Sequence, residues 1–399
     1  MIKYIDKTYL VQSLLNVFHG SYIMALMCMN VLCTSKKKRR ECFCFFSDNI
    51  DDVFYISALS IYFIMIVLQL KSNHNTNYLE DISFIINYLY NKHNYKIRGH
   101  EIQQINSIIE KTTIAERTNI VSSFCSKHEL DYLTYHTPFL VNDTNLYYDN
   151  IKWHQRIADS LLVTIKEAEK VYSDANLKHR IIIVFHINGF IPKQDLPFLT
   201  KETKNKIIKR LESSFIDCLY NNPTFRSDQD TNDQRYYLLA VENNYPKQSA
   251  NSQLVGLYHP IDLLELKKYN VKVTLDLSHY QIYSNYLLYG NGNNTLGDLE
   301  RQIYGANIPS WKDCIYMLRD SLAQLHISDA KGTDQNGEGL PLKEGEMDVE
   351  GILNEINSLE ENRKIIQGTI ELKEGHLNNA KLQKQSADWL LTNIRYGFG

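Results

Sequence analysis

Leu325-His326-Ile327-Ser328-Asp329-Ala330-Lys331-Gly332 ends a short apolar run in a histidine, places an aspartate three residues further on and closes in a glycine turn. A lone histidine at a strand end is more often a hydrogen-bonded structural residue than a ligand. Here the pattern repeats. Five other apolar runs also finish in a residue able to bind a metal: Tyr132 to His136, Ile181 to His186, Tyr236 to Glu242, Val271 to Asp276 and Ile365 to Glu371. Asp276 is followed by His279 at the same offset that separates His326 from Asp329. One architecture gathers residues from many strand ends into one pocket. It is the parallel (β/α)8 barrel, whose active site forms at the C-terminal ends of the strands.

Working outward, the alternation of strand-like and helix-like segments predicts eight strands. They are Phe63 to Leu70, Tyr95 to Gly99, Asp131 to His136, Arg180 to His186, Tyr236 to Glu242, Val271 to Leu277, Ala323 to Ser328 and Lys364 to Glu371. Helical spacing is read over Leu79 to Lys92, Glu101 to Glu129, Trp153 to Val171, Lys204 to Tyr220 and Pro260 to Tyr269. It returns over Lys312 to Leu322, Val349 to Ser358 and Ala380 to Ile394. The Tyr- and Asn-rich stretch Tyr280 to Pro309 reads as a long loop, and loops of that length are usually covers over a site. The expected fold is therefore an α/β (TIM) barrel over 58–399, preceded by an extension, 1–57.

The extension is harder to read. Tyr9 to Cys33 is largely apolar and is followed by Lys36-Lys37-Lys38-Arg39-Arg40, and Val53 to Leu70 runs 18 residues without a charge. That length reaches the lower limit for a transmembrane helix, and two such segments around a basic loop could form a membrane hairpin. The preferred reading places the first, buried strand at the end of the second run, because strands covered on both faces read as continuous apolar runs. A membrane partner is not expected.

With 44% hydrophobic and 22% charged residues, a chain of 399 residues can bury a sizeable core. The formal net charge of -3 supplies no global basic field for nucleic acid. Of seven cysteines, Cys125, Cys218 and Cys314 are scattered, which suits a reduced, cytoplasmic enzyme. Cys28, Cys33, Cys42 and Cys44 lack the C-x2-C spacing of a zinc site.

The strand-end set mixes carboxylate and imidazole. Carboxylates suit Mn²⁺, Mg²⁺ or Co²⁺, while added imidazoles shift the preference towards Zn²⁺ or Fe²⁺. Short motifs surround these residues: His136-Thr-Pro-Phe, Val184-Phe-His186, Val241-Glu242-Asn243, Leu275-Asp276-Leu-Ser-His279, Gly337-Glu338-Gly339 and Ile370-Glu371. With the opening stretch, their order and spacing resemble the xylose-isomerase-like barrel superfamily, from about residue 62 to the end. That superfamily holds sugar and sugar-phosphate isomerases and epimerases, and the endonuclease IV family.

The resemblance to the isomerases implies one divalent ion held by Glu242, Asp276, His326 and Glu371, with His279 beside it as a substrate contact. Glu242 and Glu371 would then pass a proton between opposite faces of a small sugar, while the ion polarises its carbonyl. Lys331 and Lys373 are the candidates for holding an anionic group of the substrate. The resemblance to endonuclease IV implies instead that His136 and His186 hold a second ion, zinc being the metal then expected, with His279 serving a third. That family's Asp-x-His pair after the seventh strand is missing, because Thr333-Asp334-Gln335-Asn336-Gly337-Glu338-Gly339 contains no histidine. The expected activity is a metal-dependent sugar isomerase or epimerase. The alternative is an endonuclease IV-like phosphodiester hydrolase acting on abasic DNA. A barrel of this shape doing another job is the third reading, since fold does not fix function.

Overall fold

The structure, a computed structural model, describes residues 65–138, 151–198, 200, 202, 209, 236–247, 251–289, 295–305, 308–358 and 365–394. The extension 1–57, the start of the expected first strand, most of the expected helix Lys204 to Tyr220 and five of the seven cysteines lie outside the described residues.

Eight strands close into one parallel barrel: β1 (Met65–Ser72), β2 (Gly99–Gln103), β3 (Tyr132–His136), β4 (Ile181–His186), β5 (Tyr237–Glu242), β6 (Lys272–Asp276), β7 (Leu322–Ile327) and β8 (Ile365–Ile370). Each pairs with its two neighbours in chain order, and β8 returns to β1 with Met65 opposite Ile365. Continuous apolar runs make these strands because both of their faces are covered. Ile66, Val67, Leu68 and Leu70 of β1 are all fully buried. Helices form the outer layer. In α1 (Thr76–His93) the spacing Leu79, Ile82, Ile85, Ile86, Leu89 turns one apolar stripe inward, and the side chain of Asn75 caps the first turn.

The register positions the site. Lys71 stands level with Glu101, Gln103 with His136, His186 with Glu242, and Asp276 with His326. Beneath that ring the barrel interior is polar. Gln69 donates to Gln367 over 2.5 Å, Thr134 donates to Gln367 over 3.0 Å, and Thr369 donates to Gln69 over 2.8 Å.

Three expectations are corrected. The second strand is Gly99–Gln103, not Tyr95 to Gly99, and Glu101 therefore lies in a strand and not in a helix. Gly99 is interior because the Gln69 side chain fills the space beside it, where a Cβ would come within 2.7 Å of Cγ. The expected helix from Glu101 to Glu129 is a strand, one turn at Asn106–Ile109, and α2 (Ile114–Lys127). A capping box starts α2: the Thr113 hydroxyl accepts from the Glu116 amide, and the Glu116 carboxylate accepts from the Thr113 amide.

The stretch read as a cover, Tyr280 to Pro309, contains two helices, Leu277–Tyr289 and Thr295–Tyr304. Tyr280, Tyr283 and Tyr286 share a buried face. There the Tyr280 hydroxyl donates to the Pro309 carbonyl and the Tyr283 hydroxyl to Glu300. A two-stranded antiparallel sheet, Asn188–Pro192 with Ser252–Gly256, was not foreseen. No helix among the described residues is long and apolar enough to cross a membrane.

Candidate metal centre

Six of the strand-end residues meet at the C-terminal mouth of the barrel. Glu242, at the end of β5, is the hub. Its Oε2 lies 2.8 Å from His136 Nε2 and 3.3 Å from His186 Nε2. Its Oε1 lies 3.2 Å from His326 Nδ1 and 3.3 Å from His279 Nδ1. Glu371, one residue past β8, turns its Oε2 onto His326 Nδ1. Asp276 Oδ2 stands 3.9 Å from the same nitrogen, while its Oδ1 accepts from the Ser278 hydroxyl and the His279 amide.

Asn243 fixes the β5 and β6 ends against each other. Its side chain accepts from the Asp276 amide at 2.7 Å and donates to the Asp276 carbonyl at 3.0 Å. Its own carbonyl accepts from His279 Nδ1 at 2.9 Å, so we assign the proton of His279 to that nitrogen. His279 Nε2 then faces the mouth, 3.6 Å from Glu338 Oε1. His136 Nδ1 sits 2.9 Å from the Thr137 carbonyl, and its Nε2 turns inward onto Glu242.

Charge at this mouth is heavily one-sided. Burial alone would raise the carboxyl of Glu242, but the charges of His186 and His326, with the hydrogen bond from His136, hold it well below the usual range. Burial likewise opposes ionised Glu371, yet His326 and Lys71 hold it down at about 2. The imidazole of His326 is driven well above its ordinary value, against burial, by Glu371, Glu101 and Glu242. His279 is raised to about 10, again against burial, by Asp276, Glu338 and Glu242. Burial raises Asp276 to about 6, with His279 opposing and Glu242 and Glu371 adding to the rise. His186 falls to about 3 through burial, against Glu242.

These residues fit a divalent cation. Donor atoms of His136, Glu242, His326 and Glu371 all lie within 4.8 Å of one another, as do those of Glu242, Asp276 and His279. Glu242 Oε1, His326 Nδ1 and Glu371 Oε2 are buried, point at one another, and have no hydrogen-bond partner of acceptable geometry. Buried polar atoms left in that state are destabilising unless something satisfies them. A cation between them does so, and it replaces the protons that the carboxylates otherwise force onto the imidazoles.

Two expected contacts are not brought to this cluster. Lys331 is exposed, and exposed Lys373 donates to the Gln335 carbonyl at 2.8 Å. Asp329 is also apart: its carboxylate accepts from the amides of Ala330, Lys343 and Met347 and so organises the loop after β7.

Sequence reasoning missed Lys71 and Glu101. Lys71 Nζ lies 2.9 Å from Glu101 Oε1 and 2.5 Å from Glu371 Oε1, and Glu101 Oε2 lies 3.1 Å from His326 Nε2. The available signal was Lys71 itself, which ends the first apolar run as His136 and His186 end theirs. Glu338 was quoted only as part of a motif, yet it faces His279 and accepts from the Tyr245 hydroxyl at 3.3 Å.

No protein-family model and no curated protein matches this chain. Solved structures do. The chain is similar to xylose-isomerase-like barrels. A xylose isomerase domain protein from Planctomyces limnophilus shares 15% identity over 84% of this chain and 98% of its own, with a TM-score of 0.45. The IOLI protein with a binding zinc atom shares 13% over 84% and 100%, with a TM-score of 0.46. Endonuclease IV from Thermus thermophilus shares 13% over 81% and 99%, with a TM-score of 0.41.

Proposed function

We propose that this chain is a two-metal phosphodiester hydrolase of the endonuclease IV kind, acting on abasic DNA, in place of the single-ion sugar isomerase that the sequence favoured. The observation that carries it is the division of labour at Glu242, whose Oε2 serves His136 and His186 while its Oε1 serves His326. A carboxylate that offers one oxygen to each of two donor sets could hold two cations at once. His136 and His186 would hold one ion, and Asp276, His326 and Glu371 the other.

An isomerase would instead need Glu242 and Glu371 each to exchange a proton with the substrate. Both are already engaged, Glu242 by His136 and Glu371 by Lys71. A set this rich in imidazole suits Zn²⁺ or Fe²⁺ better than Mg²⁺.

Two such ions, when bound, supply a water nucleophile at neutral pH and neutralise charge on the phosphate. The chain's own residues orient and exclude. Glu242 sets the spacing of the two donor sets. Asn243 holds Asp276 and His279 in place, and His279 Nε2, next to Glu338, is placed to contact a phosphate oxygen at the mouth. Glu338 is the acidic group that the loop offers where the endonuclease IV pattern would have its Asp-x-His pair, so two ions are proposed and not three. The proposed setting is a reduced cytoplasm, in keeping with buried, unpaired Cys125 and Cys314.

Metal content per chain, on wild type and on His136→Ala/His186→Ala, tests the reading. We expect about two ions per chain in the wild type, and cleavage of a duplex with one abasic site. The double variant should lose one ion and the cleavage. One ion per chain, unchanged in the variant, would return the site to sugar isomerisation.

A further inference from the structure

Lys71, Glu101, His326 and Glu371 close a ring of four side chains on four consecutive staves of the barrel, β7, β8, β1 and β2. Lys71 Nζ holds Oε1 of Glu101 at 2.9 Å and Oε1 of Glu371 at 2.5 Å. That leaves Oε2 of each carboxylate for the two nitrogens of His326: Glu101 on Nε2 at 3.1 Å, and Glu371 on Nδ1. Glu101 is fully buried, and its Oε2 also accepts from Gln324 at 2.6 Å. A carboxylate that takes the Lys71 ammonium on one oxygen and the Gln324 amide on the other is held as an anion with no proton to give. His326 therefore donates to it through Nε2, which leaves Nδ1, the nitrogen facing Glu242 and Glu371, as the one that would meet a cation.

We propose that Lys71 and Glu101 are positioning residues that fix the tautomer of His326 and the rotation of Glu371, and so set the affinity of one half of the metal centre from behind it. Neither touches the cation or the substrate. The inference rests on the two-metal reading above. Its physical basis is that an imidazole ligand whose other N–H is held by a carboxylate is oriented and made more basic, which typically changes metal affinity roughly 10–100-fold.

The test is a stepwise Zn²⁺ titration against a competing chelator on wild type, Glu101→Gln, Lys71→Met and Lys71→Arg, with ¹⁵N spectra of the histidine side chains. We expect two uptake steps in the wild type. Glu101→Gln and Lys71→Met should weaken one step roughly 10–100-fold and leave the other, at His136 and His186, unchanged. Lys71→Arg should recover most of the loss, since it keeps the charge. With Zn²⁺ bound, the His326 spectrum should show an Nε2–H tautomer in wild type and a mixture in Glu101→Gln. The unchanged step also reports that the variant is folded. Equal weakening of both steps, or of neither, overturns the proposal while leaving two ions bound in wild type. Wild-type protein that takes up no Zn²⁺ overturns the two-metal reading and this inference with it.

Discussion

Replacing Glu242 by glutamine keeps its shape and removes the charge that its two oxygens share between His136 and His186 on one side and His326 on the other. If that carboxylate bridges two ions, Glu242→Gln loses both, where His136→Ala/His186→Ala loses one. Metal analysis of the two variants side by side separates a bridge from a ligand of one ion. A second consequence at this scale concerns pH. Folding raises His279 from an ordinary 6.5 to about 10 and drives His326 the same way. Stability from a raised group is complete below its unfolded value and is lost as pH rises through its folded value. The metal-free protein should therefore melt at falling temperature between about pH 7 and pH 10. Zn²⁺ should flatten the part of that slope that belongs to His326 by taking the place of its proton. Thermal melts with and without chelator check it, and equal slopes would remove the electrostatic account. The strand-end residues were legible because each closes an apolar run at a fixed end. Glu101 was not, because it sits inside its strand, between His100 and Ile102, in a stretch whose spacing also fits a helix.

At the scale of the element, two substitutions separate packing from capping. A Cβ on Gly368 of β8 would stand 2.6 Å from Ile66 Cγ2 and 3.1 Å from Ile327 Cδ1, inside a closed sheet where neither neighbour can move freely. Gly368→Ala should destabilise by about 1–3 kcal/mol and also weaken metal binding, since Glu371 follows three residues later, just past the end of the same strand. Thr113→Ala removes an exposed cap of α2 and should cost about 1 kcal/mol with metal content intact. Urea unfolding with metal analysis on both variants reads the difference. Elements with a long apolar period, such as α1 and β4, were legible to within a few residues. Those written in tyrosine and asparagine were not. Tyr280, Tyr283 and Tyr286 carry a helical face in residues that favour strands and turns, and only their burial reveals it.

For the molecule as a whole, the question is what the barrel needs from residues 1–57. β1 is hydrogen-bonded on both edges, Met65 to Gln69 against β8 and Gln69 to Ser72 against β2. The ring of eight strands thus has no free edge awaiting another segment, and closure is what removes such edges. The inward-facing groups find their partners within the barrel, from the Gln69, Gln367 and Thr134 layer up to the ring at Lys71. Every residue of the proposed metal centre lies between Lys71 and Glu371. We propose the boundary at 57/58 that the sequence suggests, and expect a chain begun at residue 58 to unfold cooperatively and to keep the metal content of the full chain. Circular-dichroism melts and metal analysis of that shortened chain are the check. Loss of the cooperative transition would make the extension part of the folding unit, and the barrel's closed hydrogen bonding would then be insufficient on its own.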